Sequence, residues 1–140
     1  MSKINLGRVI LGGIVAGIII NLIEYVLNGI YLADQWTSIM SSINRPPLGM
    51  HEIVAFNVFG FVQGFAVVWT YAAIRPRFGA GHRTAITAAM LTWVTAYVLA
   101  DSMPMIMGVF PVPLTLTLIG VGLVEIIVAS IAGAYFYKEV

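Results

Sequence analysis

Residues 9–32, VILGGIVAGIIINLIEYVLNGIYL, decide the fold of this chain. No polar side chain interrupts the stretch from Val9 to Ile20, and the whole segment is long enough to cross about 30 Å of hydrocarbon as a helix. A helix is required because backbone polar groups in lipid must bond within their own segment. Three more apolar stretches follow, over residues 53–74, 85–103 and 114–137. The sequence predicts an all-α polytopic membrane protein, one bundle of four transmembrane helices over residues 1–140.

The composition of the 140-residue chain excludes several classes of protein. Hydrophobic residues make up 60% of it and charged residues 9%, whereas a soluble domain has about 25% charged residues. A soluble domain of this size could not bury so much apolar surface, because small domains leave much of their surface exposed. The absence of cysteine excludes disulfides, thiolate metal sites and a cysteine nucleophile. The net charge of +1 gives no reason to expect nucleic acid as a partner.

Lysine and arginine predict the orientation of the bundle. Six of them lie before the first span, between the second and third, or after the fourth, and only Arg45 lies in the other connections. The six are Lys3, Arg8, Arg75, Arg77, Arg83 and Lys138. Basic residues in short loops stay on the cytoplasmic side of a membrane. We therefore expect a multi-pass protein whose two termini are cytoplasmic.

The first outer connection, residues 33–50, has a helical pattern of its own. Asp34 is placed to be its N-cap, and Pro46 and Pro47 would end it. Its apolar side chains recur at helical spacing, at Trp36, Ile39, Met40 and Ile43. This pattern predicts a short amphipathic helix at the outer interface of the membrane, directly after the first span. A loop anchored by Trp36, without a helix, is the alternative.

Polar side chains inside the spans are the candidate ligand-binding residues. They come from the first, second and fourth spans, and they are Asn21, Glu24, Asn28, Asn57, Gln63 and Glu125. With a rise of about 1.5 Å per residue, all six lie between the midplane and the outer surface. We expect Glu24, Asn57 and Glu125 to converge in a polar cavity that opens outward.

Glycine pairs lie on the same helix faces as these polar groups. Gly17 and Gly13 precede Asn21 by one and two helical turns on the first span, and Gly60 and Gly64 form a second pair on the second span. A G-x-x-x-G pair lets another helix approach closely. We expect these four glycines to pack helices together, within the bundle or between copies of it.

The two glutamates have no basic partner, because no lysine or arginine lies inside any predicted span. An ionised carboxylate at the bilayer centre costs about 2.5–3.5 kcal/mol, and two that face each other repel. We therefore expect Glu24 and Glu125 to hold or share a proton, or to bind a cation. As an alternative, the polar side chains serve only as hydrogen bonds between helices.

Three further side chains are expected at the outer mouth of the bundle. His51, Glu52 and Asp101 combine a histidine with two carboxylates, which are ligand types for zinc. They are the candidates for a metal site, and for a membrane enzyme acting at the outer surface. Ala55 stands where the zinc-protease motif needs a second histidine. No motif in the sequence indicates a catalytic residue or a cofactor.

Three stretches of the chain resemble those of a known group of proteins. They are residues 12–24 (GGIVAGIIINLIE), 71–79 (YAAIRPRFG) and 122–134 (GLVEIIVASIAGA). They are similar to small four-helix bacterial inner-membrane proteins of uncharacterised activity, and the resemblance covers most of the chain. It implies four spanning helices and a location in the bacterial inner membrane. It implies no activity, substrate or catalytic residue.

The leading hypothesis for function is a small membrane protein with an outward-opening acidic cavity inside the bilayer. Such a cavity would bind or transport a proton, a small cation, or a cationic or lipid-like ligand. The alternative is a structural or accessory membrane subunit that packs through its glycine faces and has no ligand of its own. The expected partners are the lipid bilayer and either further copies of the chain or a larger membrane complex. A cavity that reaches Glu24 would favour the first hypothesis, and side chains filling that region would favour the second.

Overall fold

The computed structural model of the chain describes residues 3–139, and every element within that range is helical. Four helices are long and apolar enough to cross a membrane, which confirms the all-α fold with four such helices. They are Leu6–Tyr31, Met50–Phe78, His82–Ile106 and Val112–Phe136. Several ends lie beyond the predicted ones, because capping bonds let a helix continue into polar sequence. Asn5 accepts a bond from the Arg8 N–H at 3.2 Å, and Glu52 accepts one from the Gly49 N–H at 2.9 Å.

The first long helix changes its winding near one end. It is α-helical over Leu6–Glu24 (α1) and π-helical over Tyr25–Tyr31 (π1). The Leu32 N–H donates to the Leu27 carbonyl at 2.8 Å, and this bond to the fifth residue back is typical of a π turn. A short helix, Ala33–Ser42 (α2), follows directly.

The ends of α2 differ from the prediction. Leu32 stands at the N-cap position, and Asp34 lies within the first turn. The reason is that π1 runs into α2 with a single residue between them, so no separate capping residue precedes the helix. At its other end the helix stops at Ser42, and Asn44 turns the chain with a φ of 55° before the two prolines are reached.

The remaining helices complete the bundle. The second long helix is Met50–Phe78 (α3). The third is α-helical over His82–Trp93 (α4), π-helical over Val94–Leu99 (π2) and α-helical again over Ala100–Ile106 (α5). The fourth is Val112–Phe136 (α6). The third long helix therefore runs to Ile106, past the predicted end of its span at residue 103, because α5 continues it.

The long helices form a ring in the order α1, α3, α4, α6, and α3 also contacts α6 across it. Both termini of the described chain lie at the same end of the bundle, which we call the terminal end. There the Asn5 N–H donates to the Tyr137 hydroxyl at 3.4 Å, and Arg75 pairs with Glu139 at 3.0 Å. The opposite end holds α2, and we call it the α2 end.

In the terminal half of the bundle the helices approach backbone to backbone. A Cβ on Gly64 would lie 2.5 Å from the Gly17 nitrogen and 2.6 Å from the Gly13 oxygen. A Cβ on Gly12 would lie 2.5 Å from the Gly133 carbonyl oxygen. These glycines therefore bring α1 against α3 and against α6. The core between them is built from small side chains with no exposed surface, including Ala16, Ala88 and Ala129.

The α2 end has its own apolar cluster, which closes the bundle. Its buried members are Leu27, Leu32, Ile39, Leu114 and Leu118. The Trp36 ring packs edge-on against Phe110, with 5.3 Å between the ring centroids. The connection from α5 to α6 thus contributes to a cap over this end of the bundle, together with one face of α2.

Candidate functional site

Glu125, on α6, lies at the centre of a buried polar cluster and has 0% of its surface exposed. The Glu24 carboxyl group of α1 lies within hydrogen-bonding reach of it. Carboxylate oxygens only accept hydrogen bonds, so these two groups bond to each other only when one of them has a proton. Glu125 Oε2 has no hydrogen-bond partner among residues 3–139. We call Glu24 and Glu125 the acid pair.

Tyr97 of π2 supplies a hydrogen-bond donor to this pair. Its hydroxyl donates to Glu125 Oε1, and its ring lies over Gly122. A Cβ at Gly122 would be 2.2 Å from the ring, so a larger residue there would displace Tyr97. Gly122 and Glu125 are three residues apart on α6, and they therefore share one helix face. The glycine makes room for the ring, and the glutamate receives the hydroxyl.

Asn28 connects the acid pair to α2. Its Nδ2 donates to Glu24 Oε2 at 2.5 Å, and its Oδ1 accepts a bond from Trp36 Nε1 at 2.9 Å. Both the donor and the acceptor of the Asn28 amide therefore have hydrogen-bond partners. Because Trp36 lies on α2, the position of this short helix is coupled to that of the Glu24 carboxyl group.

Two more polar side chains border the cluster. Gln63 of α3 lies beside the Tyr97 hydroxyl, but its buried Nε2 has no hydrogen-bond partner among the described residues. Asp101 of α5 is half-buried and near enough to Glu24 for the two charges to interact. The cluster thus receives side chains from all four long helices.

The cluster is acidic, and no basic side chain of the described range neutralises it. Between residues 3 and 139 the ion pairs are His51 with Glu52 at 3.9 Å and Arg75 with Glu139 at 3.0 Å, both outside the cluster. The negative charge of the acid pair therefore has to be met by hydrogen bonds, a proton or a bound cation.

Asn21 and Asn57 join α1 to α3, and they do not contribute to the acid pair. Asn21 Nδ2 donates to the Asn57 main-chain oxygen at 3.1 Å, and the Asn21 side chain occupies the space above Gly60. The Asn57 side chain is exposed and donates to the Ile53 carbonyl of its own helix at 2.8 Å. The convergence of Asn57 with the two glutamates is therefore not observed among these hydrogen bonds.

The metal-site candidates are not brought together. The His51 side chain is 94% exposed, and Glu52 caps α3 through the Gly49 N–H. Asp101 lies near enough to Glu24 for their charges to interact. Within residues 3–139, no three histidine, aspartate or glutamate side chains form a group that could hold a metal ion.

Two grooves lie on the sides of the described bundle, and neither is lined by Glu24 or Glu125. One, of about 510 Å³, lies between α1 and α3 and is lined by Val9, Phe65 and Trp69 among others. The other, of about 450 Å³, lies between α3 and the third long helix. The surroundings of Glu125 are filled by side chains, so a ligand that reaches it without rearrangement has to be very small.

Sequence reasoning missed Tyr97 and Trp36 as members of the cluster. Gly122, one turn before Glu125, was a signal for a ring beside the carboxyl group. The resemblance to small bacterial inner-membrane proteins, and the location that it implies, remain predictions. The function has to be inferred from the chemistry of the described side chains, since the chain matches no family model, no curated protein and no solved structure.

Proposed function

We propose that the chain is an integral membrane protein whose four long helices cross the bilayer. Their most apolar windows have mean hydropathies between 1.3 and 2.3. Large apolar side chains cover the outside of the bundle, among them Ile10, Val58, Phe59, Leu116 and Val124. Soluble proteins rarely expose contiguous apolar patches of this extent. Lipid chains would cover this surface.

The proposed orientation puts the terminal end in the cytoplasm. The terminal end includes Arg8, Arg75, Arg77 and Arg83, whereas Arg45 is the one lysine or arginine near the α2 end among residues 3–139. This asymmetry supports a cytoplasmic location for both termini. The α2 helix would then lie at the outer interface, with Trp36 and Ile39 toward the bundle and its serines toward water. We propose the bacterial inner membrane as the location.

A labelling experiment tests this topology. The chain has no cysteine, so Gly79→Cys and Ser42→Cys each introduce a single thiol. In intact cells, an impermeant thiol reagent should label the Ser42→Cys protein and leave the Gly79→Cys protein unlabelled until the membrane is opened. Labelling of Gly79→Cys in intact cells would reverse the orientation.

The function we propose is an intramembrane site that binds a proton or a small cation, reached from the α2 side. One observation supports it most directly: Glu125 is fully buried, faces Glu24 and has a carboxyl oxygen without a hydrogen-bond partner in the described range. Ionisable groups inside a membrane are costly and usually mark ion or proton sites. The close packing around Glu125 favours a proton above larger ligands.

The packing of the bundle supports access from the α2 side. Toward the terminal end, the core below Glu125 consists of fully buried apolar residues such as Ile126, Val67 and Ala129. Toward the α2 end, half-buried polar groups continue the cluster at Asn28 and Asp101. The polar side chains that contact the acid pair thus extend toward the α2 end, whereas the buried Ser130, toward the terminal end, donates to the Ala85 carbonyl at 2.8 Å.

The accessory-subunit hypothesis is favoured by the filled surroundings of Glu125, because neither groove is lined by Glu24 or Glu125, but the glycines give it less support. The contact between α1 and α3 within a single chain is formed at Gly13, Gly17 and Gly64. A face used within one bundle is not free for another helix. An oligomer through this glycine face is therefore not part of the proposal.

Carbodiimide labelling tests the acid pair. Dicyclohexylcarbodiimide is apolar and modifies protonated carboxyl groups, so at pH 8 it should modify Glu24, the less buried member of the acid pair, and spare the water-exposed Glu52. Mass spectrometry locates the modified residue. Protection by sodium would identify a small cation as a ligand, and labelling that sodium does not change would identify a proton site. If neither glutamate of the pair is modified while the protein is folded, the proposed function is wrong.

A further inference from the structure

Apolar side chains cover the acid pair on the side that faces the α2 end. On α6, Leu114, Leu118 and Val121 precede Glu125 at spacings of four, three and four residues, so they lie on one helix face with it. Leu114 and Leu118 belong to the buried cluster of the α2 end, and Val121 packs against that cluster. Leu27, three residues beyond the other member of the pair, belongs to it as well. An ion that approaches Glu125 along α6 from the α2 end therefore meets a closed apolar layer.

The α2 helix contributes one face to this cluster and is attached by few contacts. Of its ten residues only Ile39 is buried, and Trp36 is half-buried. A single residue, Leu32, joins α2 to π1, and residues 43–49 on its other side form no helix. Segments with few buried apolar contacts open locally at a small cost in free energy. Because the other members of the cluster belong to long helices, α2 is the part of the cover that is displaced most easily.

Hydrogen bonds connect α2 to the acid pair. Trp36 Nε1 donates to Asn28 Oδ1 at 2.9 Å, and Asn28 Nδ2 donates to Glu24 Oε2 at 2.5 Å. Within residues 3–139, the bond from Trp36 is the one side-chain hydrogen bond between α2 and another element, since Thr37 and Ser38 donate to carbonyls of their own helix. Hydrogen bonds to an ionised carboxylate are stronger than neutral ones. A charge on Glu24 therefore helps to hold the Asn28 amide in the orientation that Trp36 requires.

We propose that α2 is a lid over the acid pair, and that Trp36 and Asn28 couple its docking to Glu24. This inference rests on the proposed function and names the element that controls entry to the same site. With the lid docked, the apolar cluster separates Glu125 from the water at the α2 end. Displacement of α2 removes Ile39 and Trp36 from the cluster and breaks the bond to Asn28. A proton or small cation then reaches Glu24 first, because this carboxyl group is the half-buried member of the pair.

Thiol labelling beneath the lid tests this proposal. The chain has no cysteine and Leu118 is 8% exposed, so Leu118→Cys places a single thiol within the cluster. Its rate of modification by a charged, water-soluble thiol reagent is measured on the full chain in lipid nanodiscs. Trp36→Ala should raise this rate at least tenfold, because it removes the ring and the hydrogen bond that hold α2. Gln35→Ala, on the exposed face of α2, should leave the rate unchanged.

Two milder variants test the coupling to Glu24. Trp36→Phe keeps an aromatic ring and removes the bond to Asn28, and Glu24→Gln keeps an acceptor for Asn28 and removes its charge. One hydrogen bond between membrane helices corresponds to about threefold in an equilibrium constant. Each variant should therefore raise the labelling rate of Leu118→Cys about two- to threefold. Parent rates in both variants would overturn the coupling.

A second buried position shows whether the opening is local. Ser130 is fully buried in the terminal half, and a cysteine there is close to the parent side chain in shape. The labelling rate of Ser130→Cys should be the same with and without Trp36→Ala. An equal rise at both positions, or a parent rate for Leu118→Cys in the folded Trp36→Ala protein, would overturn the lid. Leu114→Cys, at a position that is 1% exposed, replaces Leu118→Cys if that protein does not fold.

Carbodiimide labelling of the same proteins separates the lid from the acid pair. If Glu24 is modified at pH 8 while Trp36→Ala leaves thiol labelling unchanged, the lid proposal is wrong and the proposed function stands. If thiol labelling changes as expected while neither glutamate of the pair is modified, the proposed function is wrong and α2 is still the cover of this end.

Discussion

The terminal half and the α2 half of the bundle are built from the same four helices, but they are held together in different ways. In the terminal half, Gly17 lies against Gly64 and Gly12 against Gly133, so backbone meets backbone. In the α2 half, the glycines of α1 give way to Asn21, Glu24 and Asn28. The comparison shows that glycine contacts hold the helices together in the terminal half, whereas a cluster of hydrogen-bonded polar side chains connects them in the α2 half.

The two π-helical segments belong to the α2 half. Asn28 lies in π1 and donates to Glu24, and Tyr97 lies in π2 and donates to Glu125. Single π turns inside longer helices occur frequently at functional sites. In this chain both supply the donors of the acid pair, so the change of winding and the polar cluster occur together.

The largest loss of stability is expected when the glycine contacts of the terminal half are disrupted. Gly64→Leu places a side chain where the α1 backbone lies, 2.5 Å from the would-be Cβ, and overpacking of this kind costs about 3 kcal/mol or more when backbone must move. Gly120 has open space around its would-be Cβ, with nothing within 4 Å. Thermal unfolding in detergent should therefore show a large loss of stability for Gly64→Leu and no loss of stability for Gly120→Leu. Equal losses would mean that close backbone packing does not distinguish this half.

A smaller effect is expected from the α2 half, at Tyr97. Tyr97→Phe removes the hydroxyl that donates to Glu125 and leaves a buried carboxyl oxygen without its donor, which costs about 2 kcal/mol. Tyr135→Phe is the matched control, because the Tyr135 side chain is 79% exposed. Chemical unfolding of both variants in the same detergent measures the difference. A Tyr97→Phe protein as stable as the control would show that the hydroxyl does not stabilise the pair.

The smallest of the three effects is expected at the cap. Trp36→Phe keeps an aromatic ring against Phe110 but removes the bond from Trp36 Nε1 to Asn28. Hydrogen bonds between membrane helices average about 0.6 kcal/mol, so Trp36→Phe should lower the free energy of unfolding by an amount near that value. Trp69→Phe, at a site that is 51% exposed, is the control. The same unfolding assay compares them, and a loss above that of Tyr97→Phe would make the cap the main support of the α2 half.

The sequence predicted the terminal half better than the α2 half. Apolar length indicated the four long helices, and the spacing of Gly13 and Gly17 indicated which face of the first span could approach another helix. Both signals depend on helical periodicity, which is regular in α1. Which partner each face meets is a property of the assembled bundle, so the contact of Gly12 with Gly133 had no signal of its own.

The α2 half was harder to predict because its geometry is not periodic. The π turn at Leu32 shifts the following residues by one position relative to an α-helix. A helical wheel that starts at Gly13 and assumes α-helical geometry therefore puts residues beyond Glu24 on the wrong face. Asn57 was expected beside the glutamates because it shares a helix face with Gly60 and Gly64, and that face does not show that its amide bonds to the Ile53 carbonyl. Depth placed Glu24 in the outer half of its span and Glu125 close to the middle, and in the structure their carboxyl groups lie near each other.

The central claim is that Glu24 and Glu125 share a proton inside the bundle, and infrared spectroscopy of the carboxyl stretch tests it most directly. In membranes at pH 7, we expect a band of a protonated carboxyl group in the parent protein. Glu125→Gln and Glu24→Gln should each remove or shift that band, whereas Glu139→Gln, at the terminal end, should leave it unchanged. A parent spectrum at pH 7 in which every glutamate is ionised, with no band that either variant removes, would contradict the account.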